Sequence, residues 1–188
     1  MIPQTDVWPR LRPLLDDAEK PVRYLNHELG SVHRDPNDPI DDTSVVMVYP
    51  DTYELGQANQ AVRILVNAVN ATPGLWAERS FLPAAAFADQ MREAQLPLFS
   101  LESCAPLSEF DAIAITLPHE LAATNVLEVL DLAGIALRSS DRAEDDPIIL
   151  GGGPCALNPA PYSLFFDAIC IGEGEVAFVE QVRVVGEG

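Results

Sequence analysis

The segment Asp51-Thr52-Tyr53-Glu54-Leu55-Gly56, entered from the apolar run Val45-Val46-Met47-Val48-Tyr49, carries residue types whose spacing could do chemistry. An acid two residues before a ring can orient that ring, and a glycine three residues later lets a ligand approach the backbone. An imidazole so placed would bind a metal. The residue here is Tyr53, and a phenol with a pKa of roughly 10 is a poor neutral ligand. The same residues also permit a plainer reading, in which Asp51 caps a following helix, Tyr53 packs against the N-terminal segment, and Gly56 supplies positive φ.

Other candidates follow later apolar runs. Gly151-Gly152-Gly153-Pro154 could let backbone amides approach a nucleotide tail or a phosphate, or could be a tight turn. It lacks the lysine of a phosphate loop and the first-strand position of a dinucleotide fingerprint. Gly172-Glu173-Gly174-Glu175 places two carboxylates where a phosphate would be repelled, so they suit a helix N-terminus, and Gly172 is kept as a backbone contact or hinge. Thr116 could hydrogen-bond a polar group of a ligand, and His119, beyond Pro118, could be a polar lid contact or an ordinary surface residue. His27 and His33 receive no role. Cys104, Cys155 and Cys170 are too widely spaced for a zinc site or a disulfide framework, and no Ser/His/Asp or Cys/His spacing marks a nucleophile. No catalytic residue and no metal ligand is assigned.

The elements that must position these residues can be read from periodicity. Four apolar runs, at residues 45–49, 111–117, 147–150 and 168–171, and a weaker strand at 78–82 alternate with helical spacing, as in Ala58, Ala61, Val62, Leu65 and Val69. Helices are expected at 84–94 and 120–133, with a partial one at the C-terminus. Strands alternating with helices predict an α/β fold with a doubly wound five-stranded parallel sheet, flavodoxin-like, whose strand C-terminal ends share one edge. Residues 44–188 would form that domain and residues 1–43 an N-terminal extension. The extension reads as a short helix over 6–17 capped by Asp6, a polar stretch with a hairpin around Gly30, and a loop at Asp35-Pro36-Asn37-Asp38-Pro39.

Composition narrows the function classes. Twenty-nine acids against 11 basic residues give a net charge of −18, which repels phosphate backbones and argues against direct nucleic-acid binding. No apolar run reaches the roughly 18 residues of a membrane span, and the start lacks signal-peptide character. A soluble cytoplasmic protein is expected.

Over residues 8–176 the chain resembles the N-terminal cobalamin-binding-like region of uncharacterised radical S-adenosylmethionine proteins. The resemblance rests on Lys20-Pro21-Val22-Arg23-Tyr24, Tyr49-Pro50-Asp51-Thr52-Tyr53-Glu54-Leu55-Gly56, Pro97-Leu98-Phe99-Ser100-Leu101-Glu102 and Glu120-Leu121 with Thr124-Asn125-Val126-Leu127. It continues in Gly152-Gly153-Pro154-Cys155, Asn158-Pro159, Phe166-Asp167 and Ile171-Gly172-Glu173-Gly174-Glu175. Ligating cobalamin domains carry Asp-x-His-x-x-Gly where Tyr53 replaces the histidine. The resemblance implies a noncatalytic domain that holds cobalamin, if at all, without a histidine ligand, through Asp51, Tyr53, Gly56, Thr116, Gly152, Gly153, Pro154 and Gly172. It also implies a parent protein whose radical domain binds S-adenosylmethionine and a four-iron four-sulfur cluster. No Cys-x-x-x-Cys-x-x-Cys occurs here, so the chain reads as a truncated domain whose partner is that catalytic domain. The alternative is a degenerate domain without cofactor that docks the radical domain or a partner protein.

Overall fold

A computed structural model describes residues 6–32 and 43–187. The elements are α1 (Trp8–Leu15), β1 (Thr43–Tyr49), α2 (Tyr53–Gln57), α3 (Gln60–Asn70), β2 (Leu75–Phe81), α4 (Ala85–Glu93), β3 (Ala112–Thr116), α5 (Ala123–Ala133), β4 (Ile148–Gly152), β5 (Ala168–Cys170) and α6 (Gly174–Glu187). All five strands pair in parallel in the order β2-β1-β3-β4-β5, which is the expected flavodoxin-like sheet. Its order reverses between β1 and β3.

Parallel strands require crossovers that cover both faces of the sheet, and the core divides accordingly. Val45, Met47, Ala112, Ala114 and Leu150 pack under α3 and α6, with Val62, Val66, Phe178 and Val182. Val46, Val48, Ile113, Ile115 and Ile149 pack under α4 and α5, where Phe87, Met91, Val126 and Leu130 meet them. Leu11 and Leu15 of α1 and Tyr24 join this second layer. Thus β1 and β3 have no solvent face, which accounts for their unbroken apolar sequence.

Several boundaries differ from those expected. The helix after β1 is two helices, because Asn59 leaves helical geometry and its side chain accepts the Ala61 N–H at 2.9 Å, capping α3. β2 begins at Leu75, three residues before the expected run, since Asn70 clamps both the N–H and the carbonyl of Ala77. The β4–β5 crossover holds only a 3-10 turn, Pro154–Leu157, as Pro154, Pro159 and Pro161 each remove a donor. Residues 20–32 form a 3-10 turn at Pro21–Tyr24 and a bend instead of a hairpin. Asp6 accepts the Trp8 N–H at 2.7 Å, although Val7 stands at the N-cap of α1. His33 and the Asp35–Pro39 loop lie outside the described residues. No described helix is long and apolar enough to cross a membrane.

The layered core sets a stability expectation. Ile113→Ala, at the fully buried centre of β3, should cost about 2–5 kcal/mol in urea unfolding, against about 0.5 kcal/mol or less for Leu157→Ala on the exposed turn. Equal midpoints for the two variants would show that β3 is not the centre of the core.

Candidate functional site

At the strand C-terminal edge, beside the β1/β3 reversal, an apolar cleft opens, with a cavity volume of about 110 Å³. Its floor is Met47 and Tyr49 of β1, Ala114 to Thr116 of β3 and Leu150 to Gly152 of β4. Leu65 of α3 and Phe178 of α6 form the opposite wall, and Asn59, Thr116, Cys170 and Gln181 bring polar atoms to it. Gly153 and Pro154 close one end. Gly153 has φ +115°, and a Cβ there would meet the Leu117 backbone at 3.1 Å, so the turn needs glycine. Gly152 differs: a Cβ would meet Cys170 at an ordinary 3.7 Å, leaving the cleft as the space that a larger side chain would fill. The Thr116 hydroxyl lies 3.4 Å from the Val48 carbonyl and donates to it.

Of the residues singled out by sequence, Thr116, Gly152, Gly153 and Pro154 therefore come together in one cleft. Asp51, Tyr53 and Gly56 do not line it. Asp51 accepts the Thr52 N–H at 2.7 Å, but Thr52 is the N-cap of α2 and receives no side-chain cap, so Asp51 does not cap that helix. Gly56 sits inside α2 and has no positive φ; a Cβ there would meet the Phe81 ring at 2.3 Å, so its role is to admit that ring. Tyr53 stands edge-on to Phe81, with ring centroids 5.4 Å apart. Burial, with the nearby Glu28 carboxylate, raises its phenol pKa. Gly172 has φ +117°, a Cβ there would meet nothing within 4 Å, and the residue precedes α6 as a free turn. His119 and Cys155 line a separate, more open cavity with Leu157, Asn158 and Tyr162.

Sequence reasoning missed Gln181 and Phe178, because the C-terminal stretch departs from the resembling pattern. Their four-residue neighbourhood on α6 does carry an apolar stripe, Phe178 and Val182 (i, i+4), that would have placed them on the sheet. It also missed the ion cluster around Arg79. This buried guanidinium gives Nε to Glu102 at 2.6 Å, Nη1 to Gln57 at 2.8 Å and Nη2 to Asn26 at 2.9 Å, and pairs with Glu28 at 2.6 Å. The Arg79 backbone N–H donates to the other Glu102 oxygen at 2.7 Å. Burial pushes the Glu102 carboxyl up to about 7, against the opposing pull of Arg79, while Glu78 adds to the rise. Arg23 and Lys20 both donate to the exposed Glu54, and the hydrogen bond from Arg23 holds its carboxyl down at about 2.

Comparison with known proteins adds three findings. The family model described as radical SAM proteins, N-terminal, matches residues 61–188, more than half of the chain. An uncharacterised protein of Methanocaldococcus jannaschii is 26% identical over 135 residues, covering 70% of this chain and 24% of that protein. The chain thus spans about a quarter of that relative's length. Among solved structures, a novel cobalamin-binding protein from Desulfitobacterium hafniense DCB-2 superposes with a TM-score of 0.44 at 12% identity, over 78% of this chain and 58% of that one.

Two expectations follow from this geometry. A carboxyl whose folded pKa is raised holds its proton in the folded protein after the unfolded chain has lost it, so its contribution is full below about 4.5 and declines as pH rises to about 7. Glu102→Gln should remove that decline between pH 4.5 and 7 in thermal melts, whatever it does to absolute stability; an unchanged slope would assign the decline to other groups. Gly56→Ala should destabilise by about 1–3 kcal/mol through the clash with Phe81, and the further change Phe81→Leu should recover part of it. No recovery in the double variant would place the strain elsewhere.

Proposed function

This chain belongs to the family of radical SAM proteins, N-terminal, and on that premise we propose that it is a noncatalytic corrinoid-binding domain that holds cobalamin by its nucleotide tail. The observation that supports this reading is the cleft at the β1/β3 reversal, where ligands of open α/β sheets bind. Its volume amounts to on the order of eight water sites at roughly 10–15 Å³ each, room for a small planar group. The walls are apolar, as a stacked base requires, and the polar atoms of Asn59, Thr116 and Gln181 suit the ribose and amide groups of such a tail. Gly152 and Gly153 keep side chains out of the floor at the turn into Pro154.

When bound, a corrinoid supplies a cobalt centre able to carry an alkyl group or an electron. The chain's own share is to bind and orient. Tyr53 offers no imidazole, so this reading gives cobalt no histidine ligand from α2. Asp51, Tyr53, Gly56 and Gly172 stand around the cleft without lining it. The catalytic chemistry of S-adenosylmethionine and a four-iron four-sulfur cluster belongs, in this reading, to a radical SAM domain with which this domain associates.

A second reading, a domain without cofactor that serves as a docking module, is favoured by one observation. The groove beside Tyr53 and Tyr24, between α2 and the end of β2, is filled to a residual volume of about 10 Å³.

Titration with hydroxocobalamin separates the two readings. Binding should shift the visible spectrum of the cofactor; Gly152→Val should weaken it at least tenfold, and Asp51→Ala should change it less than threefold. The absence of any spectral or calorimetric signal at high micromolar cofactor would remove the corrinoid reading and leave the docking one.

A further inference from the structure

Residues 20–28 lie across the Asp51–Gly56 turn and are fastened there by three contacts of different chemistry. Lys20 and Arg23 reach Glu54 of α2 at 3.1 and 2.8 Å. Tyr24 stacks on Phe87 of α4, with centroids 4.2 Å apart and planes at 19°. Asn26 and Glu28 meet Arg79 of β2 at 2.9 and 2.6 Å, and the same guanidinium holds Gln57 of α2. The two polar side chains that pin α2, Glu54 and Gln57, are thus both engaged by this segment or by the arginine it covers.

A helix of five residues does not persist on its own hydrogen bonds, so the position of α2 depends on these contacts together with the packing of Tyr53 and Gly56 on Phe81. That position is transmitted directly. The Asn59 N–H donates to the Gly56 carbonyl at 3.0 Å, Asn59 caps α3, and Asn59 and Ala61 line the cleft together with Tyr49, whose Cβ packs against Gly56. The covering segment, in contrast, has only one 3-10 turn of its own, and Asn26 takes a left-handed φ of +48°. Closure also leaves the second carboxylate oxygen of Glu28 buried without a partner, and it adds Glu28 as a second carboxylate to an arginine already paired with Glu102. Both features oppose the closed state, which is what a releasable element needs.

We propose that residues 20–28 are a strap that locks the Asp51–Gly56 turn and thereby sets the mouth of the cleft. That the cleft takes a corrinoid rests on the reading above; the lock itself does not. Release of the strap frees α2, and with it the Asn59 cap and the first turn of α3.

Hydrogen exchange on the full chain without cofactor tests this. Lys20→Ala with Arg23→Ala changes only one anchor near the surface, while Arg79→Met with Glu102→Gln removes the central arginine and its Glu102 partner and leaves Glu28 without its cation. In both variants exchange should quicken at least tenfold over residues 20–28 and also over 53–62, while β1 and β3 stay protected. Hydroxocobalamin should associate several-fold faster with the Lys20/Arg23 variant than with the unaltered chain. Wild-type protection of 20–28 in the Lys20/Arg23 variant would overturn the strap, and opening of 20–28 without 53–62 would overturn its hold on the cleft. Coupled opening with no cobalamin taken up by any variant would support the lock and remove the corrinoid reading.

Discussion

Strands paired in parallel cannot be joined by a tight turn, and everything else in this molecule follows from that constraint. Each connection must cross a face of the sheet, so both faces are covered and β1 and β3 are apolar throughout. Each strand must also point the same way, so every βα turn arrives at one edge. The reversal of order between β1 and β3 then parts the covering helices at that edge. The cleft is thus a product of topology, and its residues come from segments more than 100 positions apart, from Met47 to Gln181.

Arg79 solves a different difficulty. It stands on β2, an outer strand, where a charged side chain would ordinarily face water. Here the extension and the 100–103 loop bury it, so its charge must be met by Glu28 and Glu102 and its remaining donors by Gln57 and Asn26. Removing one acid would leave the buried cation to the other alone. The network therefore behaves as a unit and ties four separate stretches of chain together.

The sheet is legible in the sequence because burial on both faces writes itself as continuous apolar runs. Four strands can be located this way; β2 reads only weakly, because Glu78, Arg79 and Ser80 interrupt its apolar residues, and it reads short because the pairing of Trp76 and Ala77 depends on Asn70. The break between α2 and α3 is not legible: Ala58-Asn59 fits a continuing helical period, and only the Asn59 side chain turning back to Ala61 shows the cap. Four of the eight candidate residues come together in one cleft. Thr116 and Gly152 to Pro154 are found from their strand ends, whereas Asp51, Tyr53 and Gly56 share the edge without lining the cleft, and Tyr53 faces another groove. Spacing places residues at an edge but does not show which side of a strand end they turn to, nor that the Phe81 ring occupies the room that Gly56 leaves. The Arg79 network has no sequence signal, since its members are spread from Asn26 to Glu102 and no periodicity joins them.

The two margins of the sheet are finished differently. Along β2 the backbone is occupied: the Leu101 N–H donates to the Arg79 carbonyl at 2.8 Å, and Glu102 takes the Arg79 N–H. β5 is three residues long, half exposed, and among the described residues pairs with β4 alone. The sheet therefore has a closed side and an open side, and growth by a further strand has one direction available to it. Any assembly of this domain by strand addition would be polar, proceeding outward from β5 and never from β2.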